Sequence, residues 1–259
     1  VQDWNIKQEG EFKYVESGGS GTPIVLLHGL MGALSNFEDL VDYFTPHYNV
    51  VIPLLPIFEL PLRKLSVTGL VDYVSRFIDI KSFESVHLLG NSLGGHIAQL
   101  YTMREPGKVK SLILTGSSGL FESAMGNTFP KRGNYEYIKK KVESVFYDPK
   151  IATKSLVDEV YDIVNNRNKA IRIVATAKSA VRHNLGDKLH GIDTPTLLIW
   201  GQQDEVTPAW VGEKFHELIP TSELHLVENC GHAPMMERPE EFNRILKDFI
   251  EKVEGKVRE

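Results

Sequence analysis

The chain has 259 residues, 29 Lys plus Arg against 34 Asp plus Glu, and a formal charge of −5, with 42% hydrophobic and 24% charged residues. Those proportions are those of a globular protein and exclude a disordered or collagen-like chain. The lone Cys230 excludes an internal disulfide scaffold, and the net negative charge gives no electrostatic footprint for nucleic acid.

Taken in chain order, Glu11 to Glu16 reads as an edge strand, expected to pair antiparallel with the next through the Gly18–Gly21 turn. Pro23 to His28 is a short continuous apolar run, the pattern of a strand covered on both faces. Asn49 to Leu55 reads the same way. The apolar stretch from Asn49 to Leu62 is too short for a membrane span and is broken by Pro53, Pro56 and Pro61. Val67, Leu70, Val71, Val74 and Ile78 then fall on one helix face. Val86 to Leu89 is a strand, followed by a helical face at Leu93, Ile97, Leu100 and Tyr101, and Lys110 to Thr115 is the next strand.

From about Leu120 to Leu189 only helical patterns occur, including Ile138, Val142, Val145 and Phe146, then Leu156, Val157, Val160, Tyr161 and Val164. Residues 131–184 carry a net charge of +6, leaving −11 elsewhere. Strands return at Thr196 to Trp200 and Ser222 to Val227. Helical faces follow each, at Val211, Phe215, Leu218 and Ile219, and from Phe242 to Val253 behind Pro239. Alternating strands and helices predict a doubly wound, mostly parallel α/β sheet. The expected division is a core of residues 1–119 and 190–259 with a helical cap of residues 120–189 inserted between strands.

The strongest local signal is Gly90-Asn91-Ser92-Leu93-Gly94, set between a strand and a helix. This is a nucleophile elbow, whose glycines make room for a sharp turn that lifts the Ser92 hydroxyl off the sheet. A serine hydroxyl needs a base. His232 lies in the loop after the last strand, at the same carboxyl edge as Ser92, whereas His87, His216 and His225 sit in elements where a structural role is expected. Asp204, after the Thr196–Trp200 strand, is the expected acid, with Glu205 its rival. The chain order Ser92, Asp204, His232 is that of an α/β-hydrolase. Two backbone N–H groups complete the site, that of Leu93 and, from the His28-Gly29-Leu30 loop, that of Leu30. His28 is read as an organiser of that loop.

With these four features in order, the chain resembles an α/β-hydrolase over nearly its whole length. A closer resemblance is to the meta-cleavage-product hydrolases, which cut carbon–carbon bonds in ring-cleaved aromatics. It rests on Gly90-Asn91-Ser92, Phe146-Tyr147-Asp148-Pro149 with Thr153–Leu156, Cys230-Gly231-His232 and Glu240-Glu241-Phe242-Asn243-Arg244. Three positions depart from what the resemblance implies. Val160 stands in place of the family's cap arginine, Ala233 in place of its tryptophan after the histidine, and the loop from Pro53 to Pro61 lacks the acid and glycines of many α/β-hydrolases.

The resulting expectation is a cytoplasmic serine hydrolase of a small carboxylic ester or related acyl compound. Carbon–carbon bond hydrolysis of a dienoate is the alternative, with Arg167, Arg172 or Arg182 as substitute cation, and a non-catalytic binding protein is a third reading. His28, Asn91, Phe58, Val160 and Ala233 are candidate pocket residues. A small-molecule substrate is expected and a homodimer is a candidate assembly. No cofactor, metal, nucleic acid or membrane partner is expected.

Overall fold

The computed structural model describes residues 4–32, 34–122 and 133–255. Eight strands form one sheet in the order β1-β2-β4-β3-β5-β6-β7-β8. They are β1 (Lys7–Glu9), β2 (Phe12–Glu16), β3 (Ile24–Leu27), β4 (Val50–Pro53), β5 (Val86–Asn91), β6 (Val109–Thr115), β7 (Thr196–Gly201) and β8 (Ser222–Val227). From β4 to β8 across the sheet every pairing is parallel; β1 and β2 join antiparallel at one edge.

Residue parity along the strands divides the core in two. Val25, Leu27, Leu88, Leu112, Leu114, Leu198 and Trp200 face one side, against α2 (Val67–Ile80), α3 (Leu93–Arg104) and α7 (Ala209–Leu218). Their neighbours Ile24, Leu26, Leu89, Ile113, Leu197 and Ile199 face the other, against α1 (Glu38–Phe44) and α9 (Pro239–Val253). Both faces are covered, which is why these strands read as unbroken apolar runs. Each fully buried Leu, Ile or Phe contributes roughly 1.5–3 kcal/mol by leaving water. Local signals set the helix starts: the Ser66 hydroxyl accepts from Gly69 N at 3.0 Å ahead of α2, and Pro239 occupies the first turn of α9.

The edge strand pairs differently from the sequence expectation. β2 lies antiparallel to β4, with Val15 opposite Ile52, and not to β3. The Gly18–Gly21 segment crosses the end of β4, tied by Ser17 N to Val50 O at 3.0 Å and Gly18 N to the Asn49 side chain at 3.1 Å. β3 already has β4 and β5 on its two edges, so no edge is left for β2. The three-residue β1, Lys7-Gln8-Glu9, has no apolar pattern to mark it in the sequence.

Between β6 and β7 the described residues form α4 (Tyr135–Glu143), α5 (Lys154–Asn165) and α6 (Arg167–Arg182). Residues 123–132, within the expected cap, lie outside the described residues. Thr153 and Asn166 cap α5 and α6 through their side chains. Ile138, Val142, Phe146, Val157 and Val160 pack into the second core, and Ala177, Ala180 and Leu185 into the first. Among the described residues no helix is long and apolar enough to cross a membrane.

Candidate active site

Three loops leave the carboxyl ends of parallel strands and bring the chemistry together. β5 ends in Ser92, whose backbone sits at φ 53°, ψ −117°, a conformation L residues rarely adopt. The turn is held by Ser92 N donating to Thr115 O at 3.1 Å and by Gly95 N donating to Ser92 O at 3.0 Å. It closes this tightly because Gly94 lies against the backbone oxygen of Leu27 and Gly95 against the Ser117 hydroxyl, so any side chain at either position would collide. The strain is the local signature of an elbow that projects its side chain away from the sheet. Ser92 is partly exposed between buried neighbours.

Asp204 and His232 meet at 2.8 Å, Oδ2 to Nδ1, with both side chains almost fully buried. An ionised carboxylate only accepts, so Nδ1 carries the proton and donates it, leaving Nε2 as a lone pair. Asp204 is saturated from its own turn: Oδ1 accepts from Val206 N at 2.7 Å and Thr207 N at 2.9 Å, and Oδ2 accepts from the Thr207 hydroxyl at 2.9 Å. Its rival Glu205 is exposed. The His232 loop is tied to the elbow by Asn91, whose Nδ2 donates to Thr115 O at 3.1 Å and His232 O at 3.3 Å. Asn91, a candidate pocket residue, is buried with its amide engaged by these two backbone carbonyls.

The Gly29–Leu30 segment lies directly against the elbow; a Cβ built on Gly29 would be 3.4 Å from Ser92 Cβ. Among the described residues no acceptor is found for the amides of Leu30 or Leu93. His28 fixes this loop. Its Nδ1 donates to Gly29 O at 2.9 Å, and Nε2 accepts from Leu55 N at 3.1 Å. Burial lowers its pKa, so the ring stays neutral and can fill both roles.

The other candidates are more deeply packed. Val160 and Ala233 are buried in the second core, and Phe58 is partly buried against the first, with Lys169 Nζ 5.4 Å from its ring centre. In the apolar loop, Leu55 and Ile57 are core residues. Arg172 donates to Leu60 O, while Arg167 and Arg182 are exposed. Burial pushes the Cys230 thiol up, which leaves it unreactive at neutral pH.

Two residues at the site carry no mark in the sequence read alone. Thr207 donates its hydroxyl to Asp204 Oδ2 at 2.9 Å, a contact that a threonine in a turn does not announce until the aspartate is known to be buried. Gly116, at φ 51°, lies under the imidazole, where a Cβ would stand 2.8 Å from His232 Nδ1. Nothing in the sequence pairs it with a residue 116 positions away.

Comparison with known proteins bears on the fold and the family. Residues 22–239 match the family model described as alpha/beta hydrolase fold. A 2-hydroxy-6-oxononadienedioate/2-hydroxy-6-oxononatrienedioate hydrolase from Pseudomonas putida is 27% identical over 273 aligned positions, covering 94% of each chain. The monoacylglycerol lipase ABHD6 of Bos taurus is also 27% identical, over 95% of this chain and 81% of its own. Among solved structures, the alpha/beta hydrolase enzyme MGS-MChE2, from the metagenome of sediments of the Mar Chica lagoon in Morocco, superposes with a TM-score of 0.79. Its identity is 45%, covering 96% of this chain and 98% of that one. With a sheet, an elbow and a family match that all run through the same residues, the chain belongs to the α/β-hydrolase fold family.

Proposed function

We propose that the protein is a serine hydrolase of small carboxylic esters or related acyl compounds, with Ser92, His232 and Asp204 as its triad. The observation that carries the reading is the buried 2.8 Å Asp204–His232 hydrogen bond, anchored through Asn91 to the strained Ser92 elbow. Ser92 Oγ attacks the substrate carbonyl carbon while His232 Nε2 takes its proton. The Leu30 and Leu93 amides receive the oxyanion, and Asp204 steadies the imidazolium. The imidazolium then protonates the leaving alcohol. Water, deprotonated by the same nitrogen, attacks the acyl-enzyme and restores Ser92 with release of the acid. The helical segment between β6 and β7 is the cap of this site, and Phe58 belongs to its apolar wall.

The Pseudomonas putida relative cleaves a dienedioate by its name and the bovine one a monoacylglycerol. The ester reading is preferred because Val160, buried among apolar neighbours, supplies no cation for a substrate carboxylate, and such a group is heavily penalised when buried unpaired. Of the substitute cations, Arg172 is already engaged with Leu60 O. The test compares kcat/KM for short p-nitrophenyl esters and for a 2-hydroxy-6-oxo-dienoate on one preparation. Esters are expected to be the better substrates, with Ser92→Ala abolishing turnover and Asp204→Asn lowering kcat by roughly 10⁴. A dienoate preference of about tenfold, some 1.4 kcal/mol of transition-state discrimination, overturns the ester reading. Full activity in Asp204→Asn with loss in Glu205→Gln overturns the choice of acid.

A further inference from the structure

The carboxylate of Glu237 takes no part in the chemistry above, yet it is among the most heavily engaged groups near it. It ends the short helix α8 (Pro234–Glu237), five residues after His232, and is 7% exposed. Oε1 accepts from Gly231 N and Oε2 from Tyr147 N, each at 2.8 Å. Gly231 is the residue before His232. Tyr147 belongs to the connection between α4 and α5.

The same two segments are tied a second time. His232 N donates to Val145 O at 2.9 Å. The fit leaves no room for a side chain at the joint, since a Cβ on Gly231 would lie 2.7 Å from Val145 O and 3.0 Å from Glu237 Oε1. The peptide on the N-terminal side of the catalytic imidazole is therefore gripped between one carboxylate and the backbone of residues 145–147. Burying a carboxylate is costly, and burial does raise the Glu237 pKa against the backbone groups of Tyr147, Gly231, Asp148 and Ala233 that lower it. An apolar contact would join the two segments without that cost. What an apolar contact cannot do is fix the direction of two N–H vectors at once.

We propose that Glu237 is a positioning residue for His232, locking the loop that carries the imidazole to the helical segment between β6 and β7 so that Nδ1 meets Asp204. The proposal rests on the triad reading above, and its test separates the two. The rate of Ser92 phosphonylation by a fluorophosphonate is measured for wild type, Glu237→Gln and Glu237→Ala, each well below its unfolding midpoint. Ester kinetics and the downfield Nδ1 proton resonance of His232 are recorded on the same samples.

Phosphonylation is expected to slow roughly tenfold or more in Glu237→Ala and less in Glu237→Gln, which keeps one acceptor oxygen. The loss should fall on kcat, with KM within about threefold, and the Nδ1 proton should shift or broaden. Variants that label at the wild-type rate and keep the resonance overturn the proposal, even if they melt at lower temperature, because the carboxylate then serves folding alone. A wild type that does not label overturns the triad reading itself.

Discussion

Asp204 is held by its own turn before it meets the histidine. The amides of Val206 and Thr207 fix one oxygen, and the Thr207 hydroxyl shares the other with His232. An aspartate held by that many donors keeps its direction, and that direction is what presents Oδ2 to His232 Nδ1. Thr207→Val keeps the shape and the backbone donor while removing the hydroxyl. Hydrogen bonds to charged groups are worth about 1.5–3 kcal/mol, so kcat should fall by roughly tenfold or more with little change in KM. Steady-state ester hydrolysis checks this, and an unchanged kcat would mean that the two amides suffice. Asp204 and His232 are both legible as residues from their loops. Thr207 is not, because a threonine in a turn is ordinary until its neighbour is known to be buried.

At the scale of elements, the end of β6 is where the Ser92 elbow and the His232 loop are joined. Thr115 O accepts from both Ser92 N and the Asn91 side chain, and the chain then turns through Gly116 beneath the imidazole. The elbow after β5 and the His232 loop after β8 therefore meet at the end of β6. Gly116→Ala places a Cβ where φ is 51° and where the ring leaves no space. The backbone alone costs roughly 1 kcal/mol. The larger effect is displacement of His232, so phosphonylation of Ser92 should slow by about tenfold or more while the thermal midpoint drops only a few degrees. Equal labelling rates in the two proteins would show that the ring is not seated by β6. The parallel strands and their order of helices were readable from apolar runs alternating with helical faces. The pairing of β2 with β4 was not, because turn residues such as Gly18–Gly21 state that the chain bends but not which strand edge is vacant.

Across the whole molecule, two buried histidines tie distant parts together and make stability depend on acid. His96, four residues into the elbow helix, donates Nε2–H to His183 O at the end of α6, and its Nδ1 has no partner among the described residues. Burial lowers its pKa from 6.5 to about 4, and burial lowers that of His28 as well. As pH falls below 6.5 the unfolded chain binds protons at these rings that the folded chain refuses. Stability is thus complete above that value and is lost progressively toward pH 4, by about 3 kcal/mol for His96 if its shift is fully expressed. His96→Gln, neutral and still able to donate to His183 O, should show a flatter fall in thermal midpoint between pH 6.5 and 4 than wild type. Parallel curves for the two proteins would exclude His96 as a source of acid lability.

The α/β alternation, the elbow and the three loops that carry Ser92, Asp204 and His232 can be read off the chain alone. Each of these is written in local terms: apolar period, glycine spacing, and position after a strand. Tertiary structure alone decided which strand β2 joins, that Gly116 seats the imidazole, and that Glu237 binds the His232 loop to residues 145–147. These are contacts across tens to more than a hundred residues, made by groups whose chemistry is common and whose meaning lies in burial. A glutamate behind a histidine reads as a solvated helix residue until the fold removes its water, and a desolvated carboxylate must then find donors wherever the backbone offers them.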